Sequence, residues 1–426
     1  MKKVLIITYY WPPAGGPGVQ RWLKFVKYLP EFNIEPIVYC PKNPFYPTID
    51  SSLCNDVNTK LKVLKHPIKE PIKILNKFFR RKLNNYSKGI IPKVNKQNFL
   101  DRLLIFIRGN FFIPDSRVFW VKPSVKFLSS YISNNHIDTI ITTGPPHSVH
   151  MIGLQLKNKF NLKWYSDFRD PWTAIGYHSS LKLISFNKKK HFKLEKEILS
   201  NSDHIIVTSD RTKELLTGYT TNPISVITNG FDKEIKNNLD LDANFTLTHV
   251  GFLSNQRNPQ ILWDVLSELV KEVKGFKEKF KLVLVGDVSP EILSSINFAG
   301  LNLYLKLIPT VPHIEAVNYQ NRSQVLLLIE ANTISASYII PGKLFEYLSS
   351  GRPIIGLGPE LSDISSILNQ TSAGIYFNYS EHKKLKSHIL DLFLSYKKNN
   401  LKIAPKNIQK YSRYNCTKKL SDILSQ

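Results

Sequence analysis

Short apolar runs alternate with segments of helical periodicity along most of this chain. Such apolar runs indicate strands that are buried on both faces, and the amphipathic helices between them indicate a parallel sheet with two covered faces. Helices are predicted, among others, over Gln20–Leu29, Val149–Lys157 and Lys190–Ser200. The strands predicted in the first half are Val4–Thr8, Glu35–Tyr39, Thr139–Thr142, Trp164–Ser166, His204–Thr208 and Ser225–Thr228.

The alternation stops at the polar segment Phe231–Asn238, which suits a hinge, and then starts again. The strands predicted in the second half are Phe245–Val250, Lys281–Val285, Leu303–Leu307, Gln324–Ile329, Pro353–Leu357 and Gly374–Phe377. We therefore predict an α/β protein with two Rossmann-like, doubly wound domains, residues 1–235 and 236–400, that face each other across a cleft. Residues 401–426 form a helical tail that we expect to pack back toward the first domain.

Composition limits the class of protein. The chain has 426 residues, of which 42% are hydrophobic, and this is enough to fill two cores. Cys40, Cys54 and Cys416 are too few and too scattered for a disulfide framework or a metal site, which favours a reducing, cytoplasmic location. No apolar run reaches the ~18 residues that span a bilayer. We expect the apolar start of the chain to be a buried strand and not a signal peptide.

A formal net charge of +25 admits nucleic acid, anionic lipid and polyanionic substrates as partners. A basic insertion, about residues 61–113, interrupts the alternation of strands and helices, and within it residues 61–110 contain thirteen Lys or Arg interleaved with apolar residues. This pattern suits an anionic membrane surface, which would make the protein peripheral on the inner face of the cell membrane. A solvated insertion is the alternative. No nucleic-acid partner is expected, because no recognition fold accompanies the charge.

Two predicted strand ends in the first half carry candidate ligand contacts. The Gly-rich loop Trp11–Gly18 lies between a strand and a helix, where glycine lets the backbone approach a phosphate or a sugar. Its spacing is not the dinucleotide fingerprint, so a nicotinamide enzyme is disfavoured. His147 lies where a later helix would start, and it is either a substrate contact or, as is more common for a lone histidine, structural.

Three charged residues, Asp167, Arg169 and Asp170, follow another buried strand. Buried charges are costly unless they are paired or used. Either Arg169 forms an ion pair that fixes the loop, or one of the two carboxylates orients a substrate hydroxyl.

In the second half, Pro341-Gly342 opens a short helix that carries Lys343 at its start and Glu346 one turn later. The free amides and the dipole of a helix N-terminus suit a phosphate that Lys343 would neutralise, and Glu346 could accept hydrogen bonds from ribose hydroxyls. A plain crossover helix with a solvated Lys and Glu is the alternative. Arg257 follows another strand of the same sheet, so the two cations could clamp a diphosphate.

The order and spacing of these motifs resemble a bacterial family-4 glycosyltransferase of the GT-B fold, and the resemblance covers nearly the whole chain apart from the basic insertion. The motifs are the Gly15-Gly16 loop, Asp167–Trp172, Thr228–Asp232, Gly251–Pro259, Leu284–Asp287 and Pro341–Leu348. The chain departs from the family's paired-glutamate motif, whose first carboxylate would stand at Tyr338. The family's frequent histidine is also replaced near Arg169.

The resemblance implies a retaining, hexosyltransferase-type enzyme of surface glycan biosynthesis. It would move a sugar from a nucleotide-sugar, bound mainly on the second domain, to a lipid-linked or polysaccharide acceptor, bound mainly on the first, without a metal or other cofactor. The implied donor-binding residues are Gly16, Arg257, Asn258, Gly342, Lys343, Leu344 and Glu346. The catalytic candidates are Asp170, Asp167 and His147.

Two alternatives use the same features. A sugar-nucleotide epimerase on the same architecture would turn over a nucleotide-sugar without an acceptor. A non-catalytic binder of an anionic polymer or membrane would show no affinity for nucleotides.

Overall fold

The two predicted sets of strands form two separate parallel sheets. The computed structural model describes residues 1–70, 99–179, 181–232, 240–401 and 403–426. They divide into unit 1, which is Met1–Asn229 with Arg413–Gln426, and unit 2, which is Gly230–Ser412. Residues 71–98 of the basic insertion and 233–238 of the predicted hinge lie outside the described residues.

Unit 1 is built on a sheet of seven described strands. They are β1 (Lys2–Thr8), β2 (Ile34–Pro41), β3 (Lys62–His66), β4 (Thr139–Gly144), β5 (Lys163–Phe168), β6 (His204–Val207) and β7 (Ile224–Val226), in the order β3-β2-β1-β4-β5-β6-β7. The helices are α1 (Pro17–Tyr28), α2 (Phe99–Phe111), α3 (Val121–Asn135), α4 (Ser148–Lys159), α5 (Gly176–Ser179), α6 (Ser185–Asn201) and α7 (Asp210–Thr217).

Unit 2 is built on a sheet of six described strands. They are β8 (Phe245–Val250), β9 (Phe280–Val285), β10 (Leu305–Ile308), β11 (Val325–Ile329), β12 (Ile354–Gly358) and β13 (Gly374–Asn378), in the order β10-β9-β8-β11-β12-β13. The helices are α8 (Gln260–Glu272), α9 (Phe276–Lys279), α10 (Pro290–Phe298), α11 (His313–Arg322), α12 (Lys343–Ser350), α13 (Asp363–Thr371) and α14 (His382–Lys397).

The last helix, α15 (Arg413–Ser425), belongs to unit 1 although unit 2 precedes it in the chain. Its Cys416, Leu420 and Leu424 are buried in the core that also contains Trp22 of α1. The Tyr414 ring lies 5.7 Å from the Tyr28 ring, centroid to centroid. The end of the chain therefore covers one face of the first sheet.

The central strands show why both sheets need helices on both faces. In β1, Leu5 and Ile7 enter one core whereas Val4 and Ile6 enter the other, because successive side chains of a strand point to opposite faces. In β11, the pairs Leu327/Ile329 and Leu326/Leu328 divide in the same way. This burial on both faces explains the continuous apolar runs of the sequence.

Part of the predicted basic insertion is regular structure. Lys62–His66 form the edge strand β3, which pairs in parallel with β2, and Phe99–Phe111 form α2. The exposed side chains of Lys62 and Lys65 hide the strand pattern in the sequence. Within the described ranges, no helix has both the length and the apolar character that crossing a bilayer requires.

Gly374 provides a test of the packing in the second sheet. A Cβ on this residue would lie 1.9 Å from the Ile354 carbonyl oxygen, a backbone atom of the neighbouring strand β12 that cannot move away cheaply. We therefore expect Gly374→Ala to lower the free energy of unfolding by about 1–3 kcal/mol, as overpacking does. Urea denaturation followed by circular dichroism measures the change. Gly218→Ala is the control, because its Cβ would lie 3.4 Å from the nearest atom. Equal stability of the two variants would contradict this packing.

Candidate functional site

The candidate site of unit 2 lies at the C-terminal ends of β8 and β11. These strands are neighbours in the middle of the sheet, and the chain proceeds from them in opposite directions across it. Such a switch point opens a crevice between the loops that follow the two strands. The loop after β8 carries Gly251 and Arg257, Glu330 directly follows β11, and Lys343 begins the helix between β11 and β12.

Gly251 makes room for Lys343. Its φ of 111° lies in the region that favours glycine, and a Cβ there would come within 3.2 Å of Lys343 Nζ. Glycine is therefore required both by the turn after β8 and by the ammonium group beside it.

The Lys343 ammonium group is hydrogen-bonded to a buried histidine. Lys343 Nζ lies 3.3 Å from His249 Nε2, and His249 Nδ1 lies 3.0 Å from the Leu327 carbonyl oxygen. A carbonyl can only accept, so Nδ1 carries the proton of the imidazole and Nε2 accepts from the lysine. Burial lowers the pKa of His249 well below its usual range, which keeps the ring neutral and suited to this role.

The two predicted cations share one electrostatic environment. Burial is the main cause that lowers the pKa of Lys343, to about 8, and the nearby charge of Arg257 lowers it further, while Glu330 and Glu346 act in the opposite direction. The structure thus brings Arg257 and Lys343 together, and at neutral pH the ammonium is still largely charged.

Glu330 is the carboxylate around which these cations lie. Arg257 Nη2 is 3.1 Å from Glu330 Oε2. Glu330 is almost fully buried, and its Oε1 has no hydrogen-bond partner among the described residues. Burial raises the pKa of this carboxyl, and Arg257 and Lys343 lower it. Sequence reasoning missed Glu330, although an acidic residue directly after an all-apolar strand was the available signal.

Glu346 is oriented by two residues of α11. His313 Nε2 donates to Oε1 at 2.9 Å and Gln320 Nε2 donates to Oε2 at 3.0 Å. The carboxylate is therefore fixed one turn into α12, beside Lys343. Its contact with a ribose stays a prediction.

The other predicted donor residues of unit 2 differ in what their side chains do. Asn258 donates from Nδ2 to Ser295 Oγ and accepts at Oδ1 from Trp263 Nε1, so its amide fixes the loop before α8. Leu344 is fully buried in the core. Gly342 precedes α12, whose N-terminus has no side-chain cap. Gly342 and Leu344 could therefore contribute to a ligand site through their position at the helix N-terminus, and not through side-chain contacts.

In unit 1 the corresponding switch point lies between β1 and β4. Gly16 has a φ of 107° at the start of α1, and apart from its chain neighbours no atom of the described residues lies within 4 Å of the position that its Cβ would take. The N-terminus of α1 has no side-chain cap. The backbone at Gly16 is thus open to a ligand, and its donor contact stays a prediction.

Asp167 is the centre of a buried hydrogen-bond network. Its Oδ1 accepts from Arg21 Nη2 at 3.1 Å, and its Oδ2 accepts from Trp22 Nε1 at 2.7 Å and from Thr143 Oγ1 at 2.8 Å. Both oxygens are engaged and the residue is fully buried. These contacts join β5, α1 and β4, which is a structural role, and a catalytic role of Asp167 stays an untested prediction.

Arg169 fixes its loop through carbonyl groups, not through the ion pair considered from the sequence. It donates from Nε to the Gly144 carbonyl at 3.0 Å and from Nη2 to the Pro145 carbonyl. Its guanidinium also lies against α1, because a Cβ at Gly18 would be only 1.4 Å from Nη1. Arg169 therefore holds the loops after β1 and β4 at one edge of the sheet.

Asp170 is the carboxylate of this loop that remains available. Among the described residues it makes no hydrogen bond or ion pair. Burial raises its pKa, while the nearby charge of Arg169 acts in the opposite direction. The loop is fixed by Glu195 of α6, whose carboxylate accepts from the backbone N–H of Trp172 at 3.1 Å and from the side chain of Thr173. Glu195 was not identified from the sequence, where it is one charge in a lysine-rich helix.

His147 lies in a buried cluster of four histidines. Its ring stacks on Trp172, with centroids 4.7 Å apart, and Trp172 Nε1 donates to His191 Nδ1 at 3.1 Å. His178 lies 4.7 Å from His191, centroid to centroid, and His150 lies 5.9 Å from His147. In the described part of the chain, no group of three or more His, Cys, Asp or Glu has the arrangement of a metal site.

No protein-family model matches this sequence, and a search of curated proteins found no match either. Solved structures do match over the full length. HepE from Anabaena in complex with UDP has a TM-score of 0.63 at 14% identity and covers 100% of both chains. Sucrose-phosphate synthase from Thermosynechococcus elongatus has a TM-score of 0.61 at 13% identity and covers 100% of this chain and 99% of its own. The chain has the GT-B fold.

The GT-B fold alone does not decide the reaction. A structure assigned as a UDP-N-acetylglucosamine 2-epimerase from Listeria monocytogenes also matches, with a TM-score of 0.57 at 13% identity, and covers 100% of this chain and 96% of its own. The residues of the site must therefore indicate the activity.

We expect the histidine cluster to make unit 1 sensitive to acid. Burial lowers the pKa of His150 to about 3, that of His178 to about 4, and those of His147 and His191 below their usual range. In the unfolded chain these histidines titrate near 6.5. The unfolded state thus binds more protons below pH ~6.5, and we expect the free energy of unfolding to fall as the pH decreases from there toward ~4.

Urea denaturation across this pH range measures the slope. His178→Gln should reduce the slope of the free energy of unfolding against pH by up to the contribution of one bound proton, since it removes one titrating group from the cluster. His136→Asn, a change at an exposed histidine outside it, should leave the slope as it is. A stability that stays constant from pH 7 to about 4 would contradict four neutral buried histidines.

Proposed function

We propose that this protein is a retaining glycosyltransferase of the hexosyltransferase type, which moves a sugar from a nucleotide-sugar bound by unit 2 to a glycan or lipid-linked acceptor bound by unit 1. The observation that carries the proposal is the pair Arg257 and Lys343 around Glu330, beside the uncapped N-terminus of α12. Two cations and free helix amides suit a diphosphate. The UDP in the HepE complex supports UDP-sugars as the first donors to test.

In this proposal the two cations act on the leaving group. Negative charge grows on the β-phosphate oxygen as its bond to the sugar breaks, and Arg257 and Lys343 stabilise that charge more in the transition state than in the bound substrate. Glu330 orients Arg257 and His249 orients Lys343, so the positive groups are in place before the reaction. The reaction then needs no metal ion, because these side chains supply the positive charge.

Asp170 is the acceptor-side carboxylate that we favour. It is available at the sheet edge of unit 1, and its loop is fixed by Glu195 and Arg169. Its raised pKa brings it closer to the range in which a carboxylate accepts a proton from an attacking hydroxyl. Retention of the anomeric configuration, taken from the family resemblance, is checked by NMR of the product. A role in surface glycan synthesis follows from the same resemblance.

An epimerase is the second candidate, favoured by the similarity to the Listeria structure. Incubation of a nucleotide-sugar with the protein and no acceptor separates the two. An epimerase would convert the sugar, whereas the proposed transferase releases nucleotide only when an acceptor or water takes the sugar.

The proposed clamp predicts weak UDP binding when either cation is removed. Arg257→Ala and Lys343→Ala should each raise the Kd of UDP at least about tenfold, because a hydrogen bond to a charged group contributes about 1.5–3 kcal/mol. Isothermal titration with UDP measures the Kd. Lys306→Ala, at an exposed lysine of β10, is the matched control and should bind as the original chain does. Unchanged affinity in both site variants would refute the clamp, even if the enzyme proves to be a transferase.

The proposed role of Asp170 predicts a separate effect on turnover. Asp170→Asn should lower kcat by about a hundredfold or more, as the loss of a positioned proton acceptor does, with the Kd of UDP unchanged. The assay is UDP release from UDP-glucose with the acceptor that works best in a panel of lipid-linked and free glycans. Asp210→Asn, an exposed aspartate in the same unit, is the control. Full activity of Asp170→Asn would remove Asp170 from the mechanism.

A further inference from the structure

Unit 1 carries an exposed apolar surface that its own core does not explain. Phe111 at the end of α2 is 71% exposed and Phe186 in the first turn of α6 is 72% exposed. Phe106, Phe119 and Ile184 are exposed as well. Large apolar side chains scattered singly over a surface are ordinary, so the question is whether these five lie together.

Asn110 shows that α2 and the start of α6 are neighbours. Its Nδ2 donates to the Lys182 carbonyl at 3.2 Å, and its Oδ1 accepts from the Ile184 N–H at 3.0 Å and from Asn187 Nδ2 at 3.0 Å. A Cβ on Gly109 would lie 2.6 Å from the Leu181 carbonyl oxygen, so the two segments are in close backbone contact. Phe106, Phe111, Ile184 and Phe186 therefore flank one junction, the α2–α6 surface.

Phe119 extends this surface. Its ring packs edge-on against the ring of Phe112, with centroids 5.9 Å apart, and Phe112 directly follows α2. The apolar groups thus continue from the end of α2 to the segment that precedes α3.

The charge around the α2–α6 surface is mostly positive. Residues 101–115 and 181–194 contain two acidic residues, Asp101 and Asp115, and Asp115 accepts hydrogen bonds from Ser148. The seven cations of these ranges are Arg102, Arg108, Lys182, Lys188, Lys189, Lys190 and Lys193. On α6, the positions of Phe186, Lys189, Lys190 and Lys193 follow the spacing of one helix face, and all four side chains are exposed. Aromatic tips bordered by lysines on a helix face are typical of a segment that lies in a membrane interface.

We propose that the α2–α6 surface docks on an anionic lipid bilayer, with Phe111, Ile184 and Phe186 entering the headgroup region and the lysines facing lipid phosphates. Charge complementarity selects this partner, since a surface with seven cations and only two aspartates, Asp101 and Asp115, is strongly positive and repels a second copy of itself. The surface uses only described residues, and it does not depend on the proposed transferase activity.

Cosedimentation of the full chain with lipid vesicles tests this inference. Binding to vesicles of equal parts phosphatidylglycerol and phosphatidylcholine should be strong, binding to pure phosphatidylcholine should be weak, and salt should reduce the former as the Debye length falls from ~10 Å at 0.1 M to ~3 Å at 1 M. Equal binding to both vesicles, or to neither, overturns the proposal.

Variants locate the binding surface. The double change Phe111→Ser, Phe186→Ser and the triple change Lys188→Gln, Lys189→Gln, Lys190→Gln should each weaken partitioning at least about tenfold, because a lysine near an anionic surface contributes about a factor of five. Phe298→Ser and the double change Lys277→Gln, Lys279→Gln are matched controls in unit 2, where the Phe298 ring is 92% exposed.

Circular dichroism and urea denaturation report whether each variant is still folded, because UDP affinity would test only the other unit. If the aromatic variant does not fold, the lysine variant alone decides. Unchanged partitioning of the surface variants, or an equal loss in the controls, overturns the assignment. So does a concentration-dependent dimer in sedimentation equilibrium that the phenylalanine change abolishes, since the surface would then bind a second copy.

Discussion

The repulsion between Arg257 and Lys343 is the constraint on which the site of unit 2 depends. Burial is the main cause of the lowered pKa of Lys343, and the nearby charge of Arg257 lowers this pKa further, so the two cations disfavour each other. Glu330 offsets this repulsion with one ion pair, and His249 accepts a hydrogen bond from the lysine without adding charge. A diphosphate would relieve the same repulsion more fully. The protein thus holds positive charge in a place where an anion is the natural complement.

In unit 1 the buried charged groups are satisfied by other protein groups. There, charged groups meet one another or the backbone, as when Asp167 accepts from Arg21 and Trp22, and Arg169 donates to two carbonyls. This network joins β4, β5 and α1 at one sheet edge. It leaves the Asp170 carboxylate and the open backbone of Gly16 beside the fixed loops. Rigid surroundings around a few available groups are what positioning of a substrate requires.

The sequence predicted the sheets better than the site. Strands buried on both faces are almost purely apolar, so β1, β8 and β11 could be recognised, whereas the edge strand β3 could not, because exposed lysines interrupt it. Arg257 and Lys343 were predicted to converge because loops after parallel strands meet at one edge, and Asp170 was a candidate because a charge after a buried strand is costly unless it is paired or used. Their roles stay predictions. His249, Glu330 and Glu195 were missed because their roles depend on contacts between residues distant in sequence, for example 94 positions between His249 and Lys343. The engagement of Asn258 by Ser295 and Trp263 was equally invisible to pattern analysis.

The most direct measurement is a crystal structure of the chain with bound UDP. We predict that phosphate oxygens lie within hydrogen-bond distance, about 2.7–3.2 Å, of Lys343 Nζ and of the Arg257 guanidinium, with the diphosphate at the N-terminus of α12. A diphosphate that binds elsewhere on unit 2, or one that leaves Arg257 in contact with Glu330 alone, would contradict it.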